Sequence, residues 1–471
     1  MSAPLVNGRL KIVRDPLRIL LFLLTVINVS RVHQHYPSLM KLRPALLLVV
    51  AATGYAYLNP RYLSRRNVLE FWPMKVIAML GVLACCSAVF GIALGRTAHF
   101  IVDTYIKVLA YAFLLAVSIR EVRDLFTFVW GYVVGCGILA FFSLFVFGIT
   151  KSSINDFARL DHLYTYDAND LGVIMMVGLA LTLLLLTSTR GIRRVVLLLI
   201  LAGISATIAR SGSRGGFLGF TAVGAAALLL VDSVPAAKRV SILLVTIIAL
   251  SLGAPPGYWK QMGTVLTPKE DYNYSTIDGR KALAQRGIGY MKQFPIFGLG
   301  LNNFSRAECT ISPKLEGLNR NGPIRCTAPH NSYVQAGSEA GLPALALWVS
   351  LIAGMIVSLL RLRGRLPRAW RRGTEAERFL YGATSFFPLA AIGFAVTSFF
   401  VSFAWMEPLY TLGAFTTGLL VVLPLYVAEK STAVVPHGWT SEAVRPRTAG
   451  WRVAQSAHRF LMPSAPQPSG L

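Results

Sequence analysis

The sequence is short of charge. Only 14% of its 471 residues are Asp, Glu, Lys or Arg, where soluble domains carry roughly 25%. That excludes an ordinary soluble enzyme. Acidic residues are the scarcest, 21 against 46 basic ones, for a formal net charge of +25. In a soluble protein such an excess points to nucleic acid as partner. Here the basic residues sit in short clusters between long apolar runs, so no nucleic acid is expected. Five cysteines are too few for a disulfide-built secreted scaffold. With 54% of the chain hydrophobic, general disorder is excluded as well. No internal repeat is visible.

What the chain does have is apolar runs. A helix that crosses the hydrocarbon core needs ~20 mostly apolar residues. Candidates lie near 17–30, 43–58, 72–95, 99–119, 124–148, 169–187, 194–210, 216–231, 240–253, 332–360, 379–403 and 407–428. The reading is an all-α polytopic membrane protein with about 12 transmembrane helices, the first two of which could instead form a re-entrant pair. Every second connection is basic: Arg61, Arg65 and Arg66; Arg120 and Arg123; Arg190, Arg193 and Arg194; Lys238 and Arg239. By the positive-inside bias both termini then face the cytoplasm. The first run lacks a small-residue cleavage site and reads as a retained helix rather than a signal peptide.

The expected organisation is nine spans over 1–253, a large, partly helical periplasmic loop over 254–331, and three spans over 332–428. A Pro/Ser/Ala-rich tail over 429–471 is expected to be disordered or to lie on the anionic cytoplasmic leaflet.

Ionisable residues at membrane depth are costly and are the first candidates for function. Arg210-Ser-Gly-Ser-Arg214-Gly-Gly lies between two spans on the outer side. Gly212 and Gly215 permit a tight turn whose amides can form an anion nest. Arg210 and Arg214, four apart, could share a helical face and grip a phosphate bidentately. The alternative is a plain turn whose arginines snorkel to lipid headgroups.

Pro329-His330-Asn331-Ser332-Tyr333 closes the large loop. Asn331 or Ser332 can cap the helix that follows. His330 then sits at the membrane surface with a pKa suited to accepting a proton. Glu339, nine residues on, is half a turn round the helix from His330 and is expected to brace a neighbour instead.

Residues 280–293 read as a helix with Leu283, Ile288 and Met291 on an apolar face and Arg280 and Arg286 projecting elsewhere. Pro295 stops it, and Gly298 and Gly300 shape a turn. Asp161, His162, Asp167 and Asp170 form an acidic loop without a D-x-D, read as turn chemistry rather than a metal site. Asp103 and Lys107 pair at i, i+4. Cys85, Cys86 and Cys136 are apolar filler. Cys309 and Cys326, alone in the outer loop, are expected to form a disulfide if that loop faces an oxidising compartment. No metal and no cofactor is expected.

The three segments around Arg210–Arg214, Arg280…Pro295-Ile-Phe-Gly298-Leu-Gly300…Asn303-Phe304 and His330-Asn-Ser-Tyr…Glu339-Ala-Gly341, in that order, resemble the O-antigen ligase and Wzy-type polymerase superfamily. The likeness covers about residues 160–360; Ala284 stands where the family often has an aromatic. The resemblance implies transfer of a glycan from undecaprenyl diphosphate at the periplasmic face of a Gram-negative inner membrane. Its acceptor is expected to be the lipid A–core oligosaccharide. In this reading His330 is the base. Arg210, Arg214 and Arg280 hold the diphosphate with Arg286 in reserve, and Gly212, Gly215, Asn331, Ser332 and Glu339 support the site. Rivals within the superfamily are an O-antigen polymerase and a protein O-oligosaccharyltransferase. From another class comes a transporter or flippase of anionic lipids.

Overall fold

A computed structural model describes residues 10, 15–62, 67–151, 158–160, 166–232, 234–267, 276–317 and 325–433. Asp161, His162 and the tail beyond 433 lie outside them. The long helices are α1 (Pro16–Ser30), α2 (Pro44–Leu58), α3 (Trp72–Phe90), α4 (Leu94–Ser118), α5 (Val122–Phe145), α6 (Ala168–Ser188), α7 (Ile192–Arg210), α8 (Arg214–Leu230), α9 (Ala236–Gly253), α10 (Arg280–Gln293), α11 (Ser332–Arg363), α12 (Glu375–Thr397) and α13 (Glu407–Ala433). The chain is a multi-pass membrane protein.

Among the described residues nine helices are long and apolar enough to cross a bilayer. Helices α1, α2 and α8 are apolar but shorter, at 15, 15 and 17 residues. At 1.5 Å per residue each falls short of a ~30 Å core. The length criterion therefore supports nine spans, and twelve only if these three are counted. Helix α13 also runs into the stretch read as tail.

Helix starts follow from local chemistry. Asp167 accepts from the amides of Asn169 and Asp170 while Asp170 accepts from the amide of Asp167, a reciprocal cap on α6. Thr374 and Glu377 do the same for α12, and Asn331 caps α11. Helix α6 is the axis of the bundle, buried along nearly its whole length between α7, α8 and α12. Small residues allow that crowding. A Cβ on Gly172 would lie 3.0 Å from the backbone of Gly216, so α6 and α8 touch main chain to main chain. A two-stranded antiparallel sheet pairs Ile149–Lys151 with Ala158–Leu160. Three-residue strands carry too little alternation to show in the sequence.

Helix α11 is the element that sets up the site. Its 32 residues would measure about 48 Å, too long for one span. It breaks at Gly341, whose φ of 87° and ψ of 170° belong to a region that essentially only glycine occupies. Two residues on, Pro343 has no amide to give to the carbonyl of Glu339. That carbonyl instead accepts from the Gly300 amide at 2.9 Å and the Ser87 hydroxyl at 2.7 Å. The Ser338 carbonyl accepts from Leu299 at 2.8 Å, and Leu342 donates to Pro295 at 2.8 Å. The turn at 295–300 thus satisfies the backbone groups that the break releases, as broken membrane helices require.

Candidate active site

The first half of α11 carries one polar stripe at i, i+3, i+7. Ser332 donates to the carbonyl of Val401 and accepts from the amide of Phe403, both at 2.9 Å. Gln335 accepts from the amide of Ala404 at 3.0 Å. The Glu339 carboxylate accepts from Trp405 Nε1 at 2.8 Å and from the Phe304 amide at 3.3 Å. The linker 398–406 joins α12 to α13, and its stretch 401–405 is almost wholly buried, so this stripe satisfies backbone groups that water cannot reach. Glu339 therefore braces the linker and the loop.

His330 precedes this half-helix in a left-handed conformation, φ 47°, and its amide donates to Ser402 Oγ at 3.0 Å. Left-handed backbone is uncommon outside glycine and often marks a functional position. Burial, and then the charge of Arg280, push the imidazole pKa below its ordinary 6.5, with Asp167 pulling the other way. His330 is therefore neutral near pH 7 and free to accept a proton.

Arg280 opens α10 with its guanidinium 5.4 Å from the ring centre of Phe400. Gly215 backs onto the same Phe400, where a Cβ would approach within 2.7 Å. The turn between α7 and α8 thus meets the linker from another side. Arg210 ends α7 and Arg214 begins α8, so they flank a turn rather than share one helical face. Gly212, at φ 62°, makes that turn. Within it the amides of Ser213 and Gly216 donate to the hydroxyls of Ser211 and Ser213. Arg214 Nη1 donates to Thr264 Oγ1 at 3.1 Å. Arg210 keeps a buried Nε without a hydrogen-bond partner.

Arg286 is not available to an anion. Its guanidinium is held by Glu308, at 2.7 Å and twice at 3.0 Å, and by the carbonyl of Ile277 at 2.8 Å. Glu308 is fully buried and also accepts from Tyr290 and Lys314, at 2.9 and 3.3 Å. The partner is 22 residues away, beyond the reach of helix-periodicity reasoning. Beside it Cys309 is bonded to Cys326, with Cα atoms 5.3 Å apart. Ile288, expected on the apolar face of α10, is instead exposed. Leu283, Gly287, Tyr290 and Met291 are the buried stripe of α10, and Ile288 falls about 140° from Leu283 round the helix.

This loop subdomain has only a small apolar cluster, so ion pairs and a disulfide do much of its bracing. Glu308→Ala is expected to destabilise it by about 3 kcal/mol, because Arg286 and Lys314 lose their fully buried partner and keep only the partly exposed Asp278, at 3.8 and 3.0 Å. The measurement is protease resistance of the loop. An undiminished half-life would mean that the ion pairs contribute little.

Lys107 and Asp103 pair at 3.2 Å, and Cys85, Cys86 and Cys136 are free thiols. Among the described residues, no three His, Cys, Asp or Glu side chains cluster so as to hold a metal ion.

Residues 196–349 match the family model described as O-Antigen ligase, a stretch that includes Arg210, Arg214, Arg280 and His330. Over that stretch the chain is similar to the O-antigen ligase family. No curated protein matches the chain. The matched stretch ends at Val349, before the linker. Phe400, Ser402 and Trp405, which meet Arg280, His330 and Glu339, are contributed from outside it. Sequence reasoning missed all three. Ser402, a polar residue at the end of the apolar run 379–403, and Trp405 in the short break after it were the available signal.

Proposed function

We propose that the chain is an O-antigen ligase of the inner membrane. It transfers a glycan from undecaprenyl diphosphate to the lipid A–core oligosaccharide at the periplasmic face, both termini being cytoplasmic. The observation that carries this reading is that His330, electrostatically coupled to Arg280, rests on the same buried linker that backs the Arg210–Arg214 turn. A neutral imidazole takes the proton of the acceptor hydroxyl as its oxygen bonds to the anomeric carbon. The bond from that carbon to the diphosphate breaks on the opposite side, which inverts the configuration. The departing diphosphate keeps the electron pair. Arg210, Arg214 and Arg280 supply fixed positive charge where that negative charge grows.

The test incubates purified protein with undecaprenyl-diphosphate glycan and lipid A–core, without nucleotide or metal, and reads the product by gel shift. Arg210→Ala, Arg214→Ala and Arg280→Ala are each expected to lower transfer by roughly 10²-fold with little loss of folded protein. Lysine at the same positions should restore only part, since a point charge lacks the bidentate fork. Normal transfer in all three alanine variants would discard the phosphate clamp. Lengthened glycan on the lipid carrier would favour a polymerase, and a glycosylated protein the protein O-oligosaccharyltransferase. Movement of the donor across the bilayer without any product would favour a transporter.

A further inference from the structure

A cavity of about 490 Å³ opens between α1, α2 and α4. Arg31, His33, Arg43, Asp103, Lys107 and Glu407 line it. Three of these are cations and two are anions, so with His33 neutral the lining is net positive. Arg31 is held by Glu407 at 2.8 Å and by the hydroxyl of Tyr166 at 3.1 Å. Tyr166 precedes Asp167, the carboxylate that acts on His330. The cavity therefore lies at the same end of the bundle as the candidate base, but is walled by different residues.

Three independent features indicate a built site. His33 is only 9% exposed, yet its Nδ1 has no hydrogen-bond partner. A buried polar atom left so is costly unless an occupant satisfies it. Arg31 and Arg43 adopt φ of 50° and 47°. Among the described residues only two others outside glycine have positive φ, Asn302 and His330. Strain of this kind collects where ligands are held. On the facing wall, Asp103 is carried on a five-residue π-turn, Ile101–Tyr105, an irregularity that is frequent at functional sites.

The apolar side of the cavity indicates the class of occupant. Leu46 and Val49 of α2 line it together with Met40. Met40 belongs to a short helix, Pro37–Lys41, that buries none of its residues. Leu39, Met40 and Leu42 stand exposed there beside Lys41 and Arg43. Apolar side chains flanked by cations suit the boundary between headgroups and acyl chains.

We infer that this cavity binds the phosphorylated headgroup of a membrane lipid, with Arg43 and Lys107, whose exposed pair with Asp103 at 3.2 Å leaves two ammonium donors to share, taking the phosphate and the Leu46–Val49 wall taking the start of the tails. The inference does not depend on the transferase reading, because its test is binding. Full-length protein is titrated with phosphatidic acid and, separately, with diacylglycerol of the same chains, and bound lipid is counted by native mass spectrometry. Phosphatidic acid is expected to bind at least 10-fold more tightly. Arg43→Gln with Lys107→Gln should weaken it about 30-fold. Arg43 is exposed, so Arg43→Gln alone folds and should show part of the loss. Phosphatidic acid with a photoreactive tail should cross-link to the peptide 39–50. Equal retention of diacylglycerol, unchanged binding in the double variant, or cross-links confined to 208–218 would overturn the assignment. Displacement by inorganic phosphate at equal concentration would do so too, because the ligand would then be the free ion.

Discussion

His330→Gln is expected to bind the lipid-linked donor normally and to transfer almost none of its glycan. A sugar hydroxyl is far less acidic than imidazolium, so the proton can leave only as the new bond forms. Losing a positioned base at that moment typically costs ~10²–10⁴ in rate. Donor affinity should hold, because the proposed clamp is built from Arg210, Arg214 and Arg280 and not from His330. The pH dependence carries a sign. Burial first, and Arg280 second, keep the imidazole pKa below 6.5, against the opposing pull of Asp167. The base form therefore persists into mildly acid solution, and kcat/KM should fall only below pH 6.5. Arg280→Gln removes one of the lowering causes, so the acid limb of the residual activity should move up. A Gln variant transferring at near wild-type rate would leave His330 as a positioning residue.

The other large effect is expected from Gly341→Ala. A Cβ there would come within 2.1 Å of the Ile296 carbonyl oxygen, which is backbone and cannot swing aside. The conformation alone costs of order 1–3 kcal/mol in any residue with a side chain. The turn at 295–300 should leave the break in α11, exposing the carbonyls of Ser338 and Glu339 and loosening the half-helix behind His330. Transfer should be lost while the protein stays in the membrane. Hydrogen exchange at the amides of Leu299 and Gly300 should rise steeply. Gly289→Ala is the control, because a Cβ there meets nothing within 4 Å in a helical position, where alanine is favoured. Slow exchange at Leu299 and Gly300 in Gly341→Ala would mean that the turn does not depend on the break.

Local chemistry was the legible part of this protein. The apolar runs that became α3 to α7, α9 and α11 to α13, the cap at Asn331, the helix opened by Arg280 and the pairing of Lys107 with Asp103 all follow from periodicity or from partners within a few residues. Partners far along the chain were not legible. Arg286 reads as a spare cation until Glu308 is brought under it, and Ser402 reads as the end of a span until it meets the amide of His330. The break in α11 lay between. Gly341 and Pro343 are visible inside an apolar run, but what they release becomes apparent only when Gly300, Leu299 and Ser87 arrive to satisfy it.

The linker at 398–406 also imposes an order of synthesis. A chain grows from its amino terminus, so α7, α8, α10 and His330 all leave the ribosome before Phe400, Ser402 and Trp405 exist. Until α12 has been inserted, Arg280 has no ring to lie over, the left-handed turn at His330 has no hydroxyl to hold its amide, and Glu339 lacks its tryptophan. A nascent chain stopped after Arg363 would contain every charged residue of the proposed mechanism and still have no site. Activity should appear late and abruptly along a series of lengthening chains, with the emergence of the linker rather than of the charges.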